Sequence, residues 1–187
     1  MLLLHEVFGA ERLGKYFSFI AEKIGLSNDG SRIGVAIEDE PSGALTFNLG
    51  LLSAAENECS LTVDIRYPAT KKGGPISETI QAAAESYGLT YTLLSDAEPL
   101  YLPKESQLIN ILAGAYKDVT GEECSIFAMG GGTYARQMHG RGVAFGPGFP
   151  GDRSGNHHDV NEVLDLETFK LHAQICLESM YRMYTVE

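Results

Sequence analysis

The sequence predicts a mixed α/β chain in two parts, and two observations carry that prediction. Before Pro103 the periodicities run helix, strand, strand, helix, strand; after it they run helix, strand, helix, strand, helix. The first order is that of a ferredoxin-like split β-α-β module lacking its first strand, and the second is half of an α/β layered domain. The expected domains are residues 1–102 and 103–187.

Each element has its own signal. Leu13, Phe17, Ile20 and Ile24 share a helical face that stops at Gly25, a residue suited to the position just past a helix end. Residues 28–43 are rich in Gly, Asp, Glu, Ser and Pro around the run Ile33 to Ile37, which predicts loops flanking at most one short strand. Ala44 to Ala54 and Cys59 to Tyr67 read as an antiparallel hairpin turning at Glu56-Asn57-Glu58. In its second strand Leu61, Val63 and Ile65 alternate with polar neighbours, so one face is wet. Pro75 opens a helix with Ile76, Ile80, Ala83 and Tyr87 on one side, Gly88 closes it, and a strand is expected at Leu89 to Leu94.

In the second part, Leu108, Ile111, Leu112, Ala115 and Tyr116 predict a helix ending near Gly121. Cys124 to Ala128 and Gly142 to Gly146 read as short strands of the buried type. Asp165 is positioned to cap the last helix, where Leu166, Phe169, Ala173, Cys176, Met180 and Met183 recur at three- and four-residue steps.

Composition narrows the function classes. With 187 residues and 44% hydrophobic positions, the chain can bury one ordinary core or two small ones. A net charge of -11 leaves no basic surface to neutralise a phosphate backbone, so nucleic acid is not an expected partner. Met1-Leu2-Leu3-Leu4 is interrupted by His5 and Glu6, far short of a membrane span or a signal-peptide core, so a cytoplasmic location and no membrane partner are expected. Three widely spaced cysteines, Cys59, Cys124 and Cys176, lack the paired spacing of a structural zinc site and are expected to be reduced and buried.

Three segments could carry chemistry. Gly146 to Glu162 holds four glycines and two prolines, then Asn156-His157-His158-Asp159-Val160-Asn161-Glu162. A neutral imidazole at a loop tip suits zinc, although adjacent histidines in a polar loop are more ordinarily solvated surface. Met129-Gly130-Gly131-Gly132-Thr133-Tyr134-Ala135-Arg136 falls where a buried strand is expected to run into a helix, a place where backbone N–H groups can meet an anion. It lacks the P-loop ending and the dinucleotide spacing, so the nucleotide signal is weak; the carboxylate of a small substrate fits equally well, and a tight turn with Arg136 on the surface is as good a reading. Arg66, in Asp64-Ile65-Arg66-Tyr67-Pro68, points away from the module's core; it could hold a carboxylate through two parallel hydrogen bonds or serve as a solvated edge charge. His5, His139 and His172 have no companion ligand at useful spacing and read as structural, and neither a nucleophile elbow nor a cysteine nucleophile signature is present.

Taken in order, Asp64 to Pro68, Gly130 to Arg136, Val143 to Gly148 and His158-x-x-Asn161-Glu162 before a terminal amphipathic helix closely resemble the carboxy-terminal region of bacterial dipeptidases of the V type. These belong to a larger zinc family with the aminoacylases, succinyl-diaminopimelate desuccinylases and carboxypeptidase G-like enzymes. The resemblance implies a catalytic α/β domain carrying two zinc ions and a ferredoxin-like lid that closes over a dipeptide or related small carboxylate. By it, residues 1–102 are the lid portion and 103–187 the carboxy-terminal portion of the catalytic domain.

The same resemblance makes His158, and not His157, a metal ligand, and it makes Arg66 the grip on the substrate's terminal carboxylate. Gly132 and Thr133 would line the cleft with Arg136 assisting, although the spacing from the threonine to that arginine varies among family branches. The family's HxD segment, bridging aspartate, paired glutamates, further aspartate ligand and lid histidine have no counterpart in this sequence. A catalytic zinc site takes about three protein ligands and a carboxylate base. The expectation is therefore a carboxy-terminal fragment of a zinc dipeptidase, with no catalytic residue of its own, weak or no zinc binding, and no activity in isolation. The alternative is a non-catalytic ferredoxin-like module for self-association or small-ligand binding. Expected partners are a second copy of the chain or the missing amino-terminal half.

Overall fold

The computed structural model describes residues 2–55, 58–146, 148–149 and 151–185. The chain divides into two compact units, Met1–Pro99 with Ala128–Gly130, and Leu100–Phe127 with Gly131–Glu187. Among the described residues no helix is long and apolar enough to cross a membrane.

The first unit opens with α1 (Leu2–Phe19), broken by non-helical backbone at Gly9 and Gly14, and continues as a π-helical turn, Ile20–Ile24, closed by Gly25 at φ 63°. The break at Gly14 and the wider π turn rotate the apolar stripe from the expected one. Tyr16, Phe19, Ile20 and Ile24 are buried, whereas Leu13 and Phe17 are only half-buried. In place of a strand at Ile33 to Ile37 there is a 3₁₀ turn, Ser31–Ile33, and then a minimal ladder of β1 (Glu38–Asp39) and β2 (Gly43–Ala44). Gly30, at φ +70°, permits the tight entry: a Cβ there would sit 2.5 Å from Val35 Cγ2.

The expected hairpin forms from β3 (Thr46–Ala54) and β4 (Cys59–Arg66), antiparallel, with Phe47 opposite Ile65 and Leu49 opposite Val63. An irregularity between Leu49 and Leu51 shifts the register, so Leu51 faces solvent opposite Thr62. Its turn residues Glu56 and Asn57 lie outside the described residues. The Tyr16 hydroxyl donates to the Ser60 carbonyl at 2.7 Å and lies 3.1 Å from that of Ser53, fastening both strands to α1. Next, α2 (Gly73–Ser86) lays Ile76, Ile80 and Ala84 against the same core.

The expected strand at Leu89 to Leu94 is absent. The segment is not in a ladder, yet Leu89 and Tyr91 pack against the core while Thr90 and Thr92 face water. Period-two burial is present without pairing. In a split β-α-β module the last strand pairs with the first, and among the described residues no strand precedes α1.

Leu45 is the most enclosed side chain of this core, at 1% exposure. Leu45→Ala should destabilise the chain by about 2–5 kcal/mol. Leu26→Ala, at a position 91% exposed, should change it by under about 0.5 kcal/mol. Urea unfolding distinguishes them, and equal midpoints would contradict this core assignment.

In the second unit α3 (Gln107–Thr120) begins at Ser106, whose hydroxyl accepts from the Ile109 N–H, and ends at Gly121, φ 78°, whose N–H donates to the Lys117 carbonyl at 2.7 Å. It packs on α4 (Leu166–Thr185) through Leu112, Ala115, Ile175 and Ser179, and Arg182 ties the pair by donating to Asp118 at 2.6 Å. The expected core stripe of α4 is largely uncovered: Phe169 is half-exposed and Met180 63% exposed. Neither Cys124 to Ala128 nor Gly142 to Gly146 forms a strand, and Phe127 is 77% exposed. A short apolar segment becomes a buried strand only where neighbours complete its ladder, and no such neighbours stand among the described residues. Among the described helices, α3 is the one that packs on α4. No disulfide joins the three cysteines among the described residues, and they are not buried as expected; Cys59 is exposed, and Cys124 and Cys176 are half-buried.

Candidate functional site

The loop before α4 is held by a backbone bridge and a set of polar bonds. Gly155 and Val163 form an antiparallel bridge, each N–H donating to the other's carbonyl at 3.0 Å, so residues 156–162 project as a closed loop. Three non-glycine residues in that loop take left-handed backbone: Asn156 (φ 55°), His158 (φ 67°) and Asn161 (φ 59°). Asparagine and histidine tolerate this region better than most side chains. The Asp159 N–H closes the turn onto the Asn156 carbonyl at 3.0 Å. His157 is engaged, its Nδ1 3.4 Å from Glu162 Oε1. His158 is exposed, and among the described residues no hydrogen bond or ion pair holds its ring.

Beneath the bridge is a polar clasp. Asp152 Oδ1 accepts from the Ser154 N–H at 2.9 Å and from Thr168 Oγ1 at 3.1 Å. The Asp165 N–H donates to Ser154 Oγ at 2.9 Å, and Arg153 Nε donates to Asp165 Oδ2 at 2.8 Å. The other Asp165 oxygen accepts from the Glu167 N–H at 3.0 Å, so Asp165 caps α4 as its position predicts. Ser154, backbone and side chain, holds the Asp152 carboxyl below the usual carboxylate range. The Arg153 hydrogen bond, then the Glu167 N–H, does the same for Asp165. Prolines 147 and 150 of this segment lie outside the described residues.

Asp165→Ala removes the cap and the clasp together. Its melting temperature at pH 7 should fall by roughly 4 °C, read by circular dichroism. Because the folded pKa of Asp165 is depressed, its contribution is complete above the ordinary aspartate value of about 3.9 and is lost as pH falls through the folded value. The gap between the two proteins should therefore close in acid. A gap unchanged at pH 2.5 would contradict this.

The glycine run differs from expectation. Neither a buried strand nor an α-helix flanks it; Tyr134–Met138 is one 3₁₀ turn. A helix dipole aimed at an anion is therefore not part of its chemistry. Thr133 precedes that turn with extended backbone (φ -126°, ψ 162°), and its side chain makes no capping bond. Gly132 is exposed, Thr133 half-buried, and buried Ala135 anchors the turn. Arg136 folds back over Gly132: a Cβ on Gly132 would lie 3.8 Å from Arg136 Nη1.

In the first unit Arg66 ends β4 on the face away from Val63 and Ile65, as alternation predicts. Its Nη2 is 3.7 Å from Asp64 Oδ2, a loose exposed pair that leaves donors for a ligand. Gly130 approaches this guanidinium so closely that a Cβ there would lie 2.9 Å from Arg66 Nη1.

Among the described residues no hydrogen bond or ion pair joins His158 to Thr133 or Arg136, and no three His, Cys, Asp or Glu side chains gather to hold a metal ion. The residues present supply one imidazole and do not by themselves fit a zinc centre. An open depression of about 500 Å³ in the second unit, lined by Glu105, Asn110, Ile111 and Arg182, includes none of the expected site residues. Of the residues that shape the His158 loop, only Asp165 stands out in sequence. Asp152-x-Ser154 has the spacing of an Asx turn and could have flagged one more, but its tie to Thr168 is invisible from spacing.

The family model described as peptidase family M20/M25/M40 matches residues 2–182. The Bacillus subtilis (strain 168) protein named "Putative dipeptidase YtjP" is 29% identical over 170 residues, covering 90% of this chain and 36% of that protein. A Staphylococcus saprophyticus protein, "Putative dipeptidase SSP1012", is 28% identical over 165 residues, covering 86% of this chain and 34% of its own length. A Staphylococcus epidermidis "Putative dipeptidase" is 27% identical over 158 residues, covering 84% and 33%. The chain thus spans about a third of the length of the relatives it matches.

Proposed function

The chain belongs to the peptidase family M20/M25/M40, and from that premise we propose that it is the carboxy-terminal portion of a zinc-dependent dipeptidase. In this reading it supplies one metal ligand and the substrate-holding residues of a centre whose other ligands lie outside it. The observation that supports this most is the His158-x-x-Asn161-Glu162 loop: a bridge and a clasp fix its ends, His157 is engaged by Glu162, and the His158 ring is left exposed.

Each residue then has a distinct role. His158 donates an imidazole nitrogen to zinc, which in the complete enzyme supplies Lewis acidity at the scissile peptide. Arg66 forms two parallel hydrogen bonds to the dipeptide's terminal carboxylate, a geometry that lysine cannot reproduce. Gly132 exposes backbone to the substrate, Thr133 offers a hydroxyl that makes no capping bond, and Arg136 adds positive charge beside them. No group in this chain is assigned to activate water, so the chain alone hydrolyses nothing. The test is a chimaera in which it replaces the matching third of the Bacillus subtilis relative, assayed for dipeptide hydrolysis with and without zinc.

The exposed face of α4, with Leu177 at 70% and Met180 at 63%, favours a second reading. Here the chain is a non-catalytic module that associates with a copy of itself through that face. Sedimentation separates the two: a stable dimer with no gain of function in the chimaera supports self-association, whereas a monomer that activates the chimaera supports the dipeptidase reading.

A further inference from the structure

We propose that His172 and Cys176 form a two-ligand site on α4 for a thiophilic metal ion of the Zn²⁺, Cd²⁺ or Cu⁺ class. The two residues stand four apart on the helix, so their side chains rise from the same face one turn apart. Cys176 Sγ lies 3.5 Å from His172 Nε2 and 4.0 Å from Nδ1. A tetrahedral ion bound at about 2.3 Å to sulfur and about 2.0–2.1 Å to nitrogen holds those two atoms about 3.5 Å apart. The sulfur is nearly equidistant from the two ring nitrogens, and a turn about the histidine Cβ–Cγ bond, a soft torsion, directs a ring lone pair at the shared ion.

Helix packing sets the face. Ile175, at 1% exposure, and Ser179 fix the rotation of α4, which leaves the neighbouring His172 and Cys176 half-buried at the solvent boundary. Neither side chain has another hydrogen-bond partner among the described residues. The other thiols lack this arrangement: Cys59 points to the Ala55 carbonyl at 3.9 Å, and burial pushes the Cys124 thiol up. On binding, the Cys176 S–H bond breaks and the proton leaves to solvent as the metal–sulfur bond forms, with no change of oxidation state. Imidazole contributes a neutral lone pair, and water completes the coordination. Thiolate and imidazole together select soft or borderline ions over Mg²⁺ and Ca²⁺.

The test titrates Cd²⁺ into the full chain carrying Cys59→Ser and Cys124→Ser, following the ultraviolet thiolate-to-metal charge-transfer band. One Cd²⁺ per chain is expected, with the band abolished by Cys176→Ser and the affinity weakened at least tenfold by His172→Ala. His158→Ala should leave both unchanged, which separates this site from the proposed dipeptidase centre. Circular dichroism checks that each variant folds, and Cd²⁺ should raise the melting temperature only where both ligands are present. Unchanged affinity in a folded His172→Ala variant, or no band in the starting variant, would overturn the proposal.

Discussion

Substituting His158 by alanine in the chimaera should lower dipeptide hydrolysis at least a hundredfold. Outer-shell partners of metal ligands already cost ten- to a hundredfold when removed, and a direct ligand should cost more. His157→Ala should have a much smaller effect. Its ring is turned to Glu162, 3.4 Å away, whereas His158 sits at φ 67° with its ring exposed. Zinc content by atomic absorption gives a second readout, since loss of a ligand lowers occupancy as well as rate. Equal losses for the two histidines would mean that the loop, and not one imidazole, carries the effect.

Arg66→Ala should raise KM for dipeptides by roughly ten- to a hundredfold, the worth of about 1.5–3 kcal/mol of charged hydrogen bonding. Arg66→Lys should recover only part of it, because an ammonium keeps the charge but not the planar fork. The loose 3.7 Å pair with Asp64 makes the prediction selective: removing Arg66 breaks no tight native contact, so folding should be unaffected. A dipeptide amide, which has no terminal carboxylate, should bind wild type and variant alike. If the amide loses as much as the free dipeptide, the arginine is not the carboxylate grip.

What could be read from sequence follows the range of each interaction. Helices α2 and α3 were legible because their signals are local: Pro75 near one start, a recurring apolar face in each, and Gly88 and Gly121 past the ends. The hairpin was legible because Val63 and Ile65 alternate with Asp64 and Arg66 next to a second extended run. Leu89 to Leu94, Cys124 to Ala128 and Gly142 to Gly146 have strand-like patterns but no ladder, because pairing depends on a neighbour that no pattern within the segment encodes. The same holds for α4, whose apolar face is wider than α3 can cover. At the site, an ordered set of short motifs pointed to Arg66, Thr133 and His158. The bond from Thr168 to Asp152, sixteen residues apart, needed coordinates. The four-residue spacing of His172 and Cys176 is visible in sequence, but the 3.5 Å approach of their side chains is set by rotamers that spacing does not encode.

The most direct measurement is amino-acid release from a panel of dipeptides by the purified chain alone, with zinc added. No turnover above the metal-only control is expected on the proposed reading, in which the chain supplies one imidazole ligand and no carboxylate base to a centre that needs several ligands and a base. Clear zinc-dependent turnover that disappears in His158→Ala would contradict the account, because the chain would then hold a complete centre.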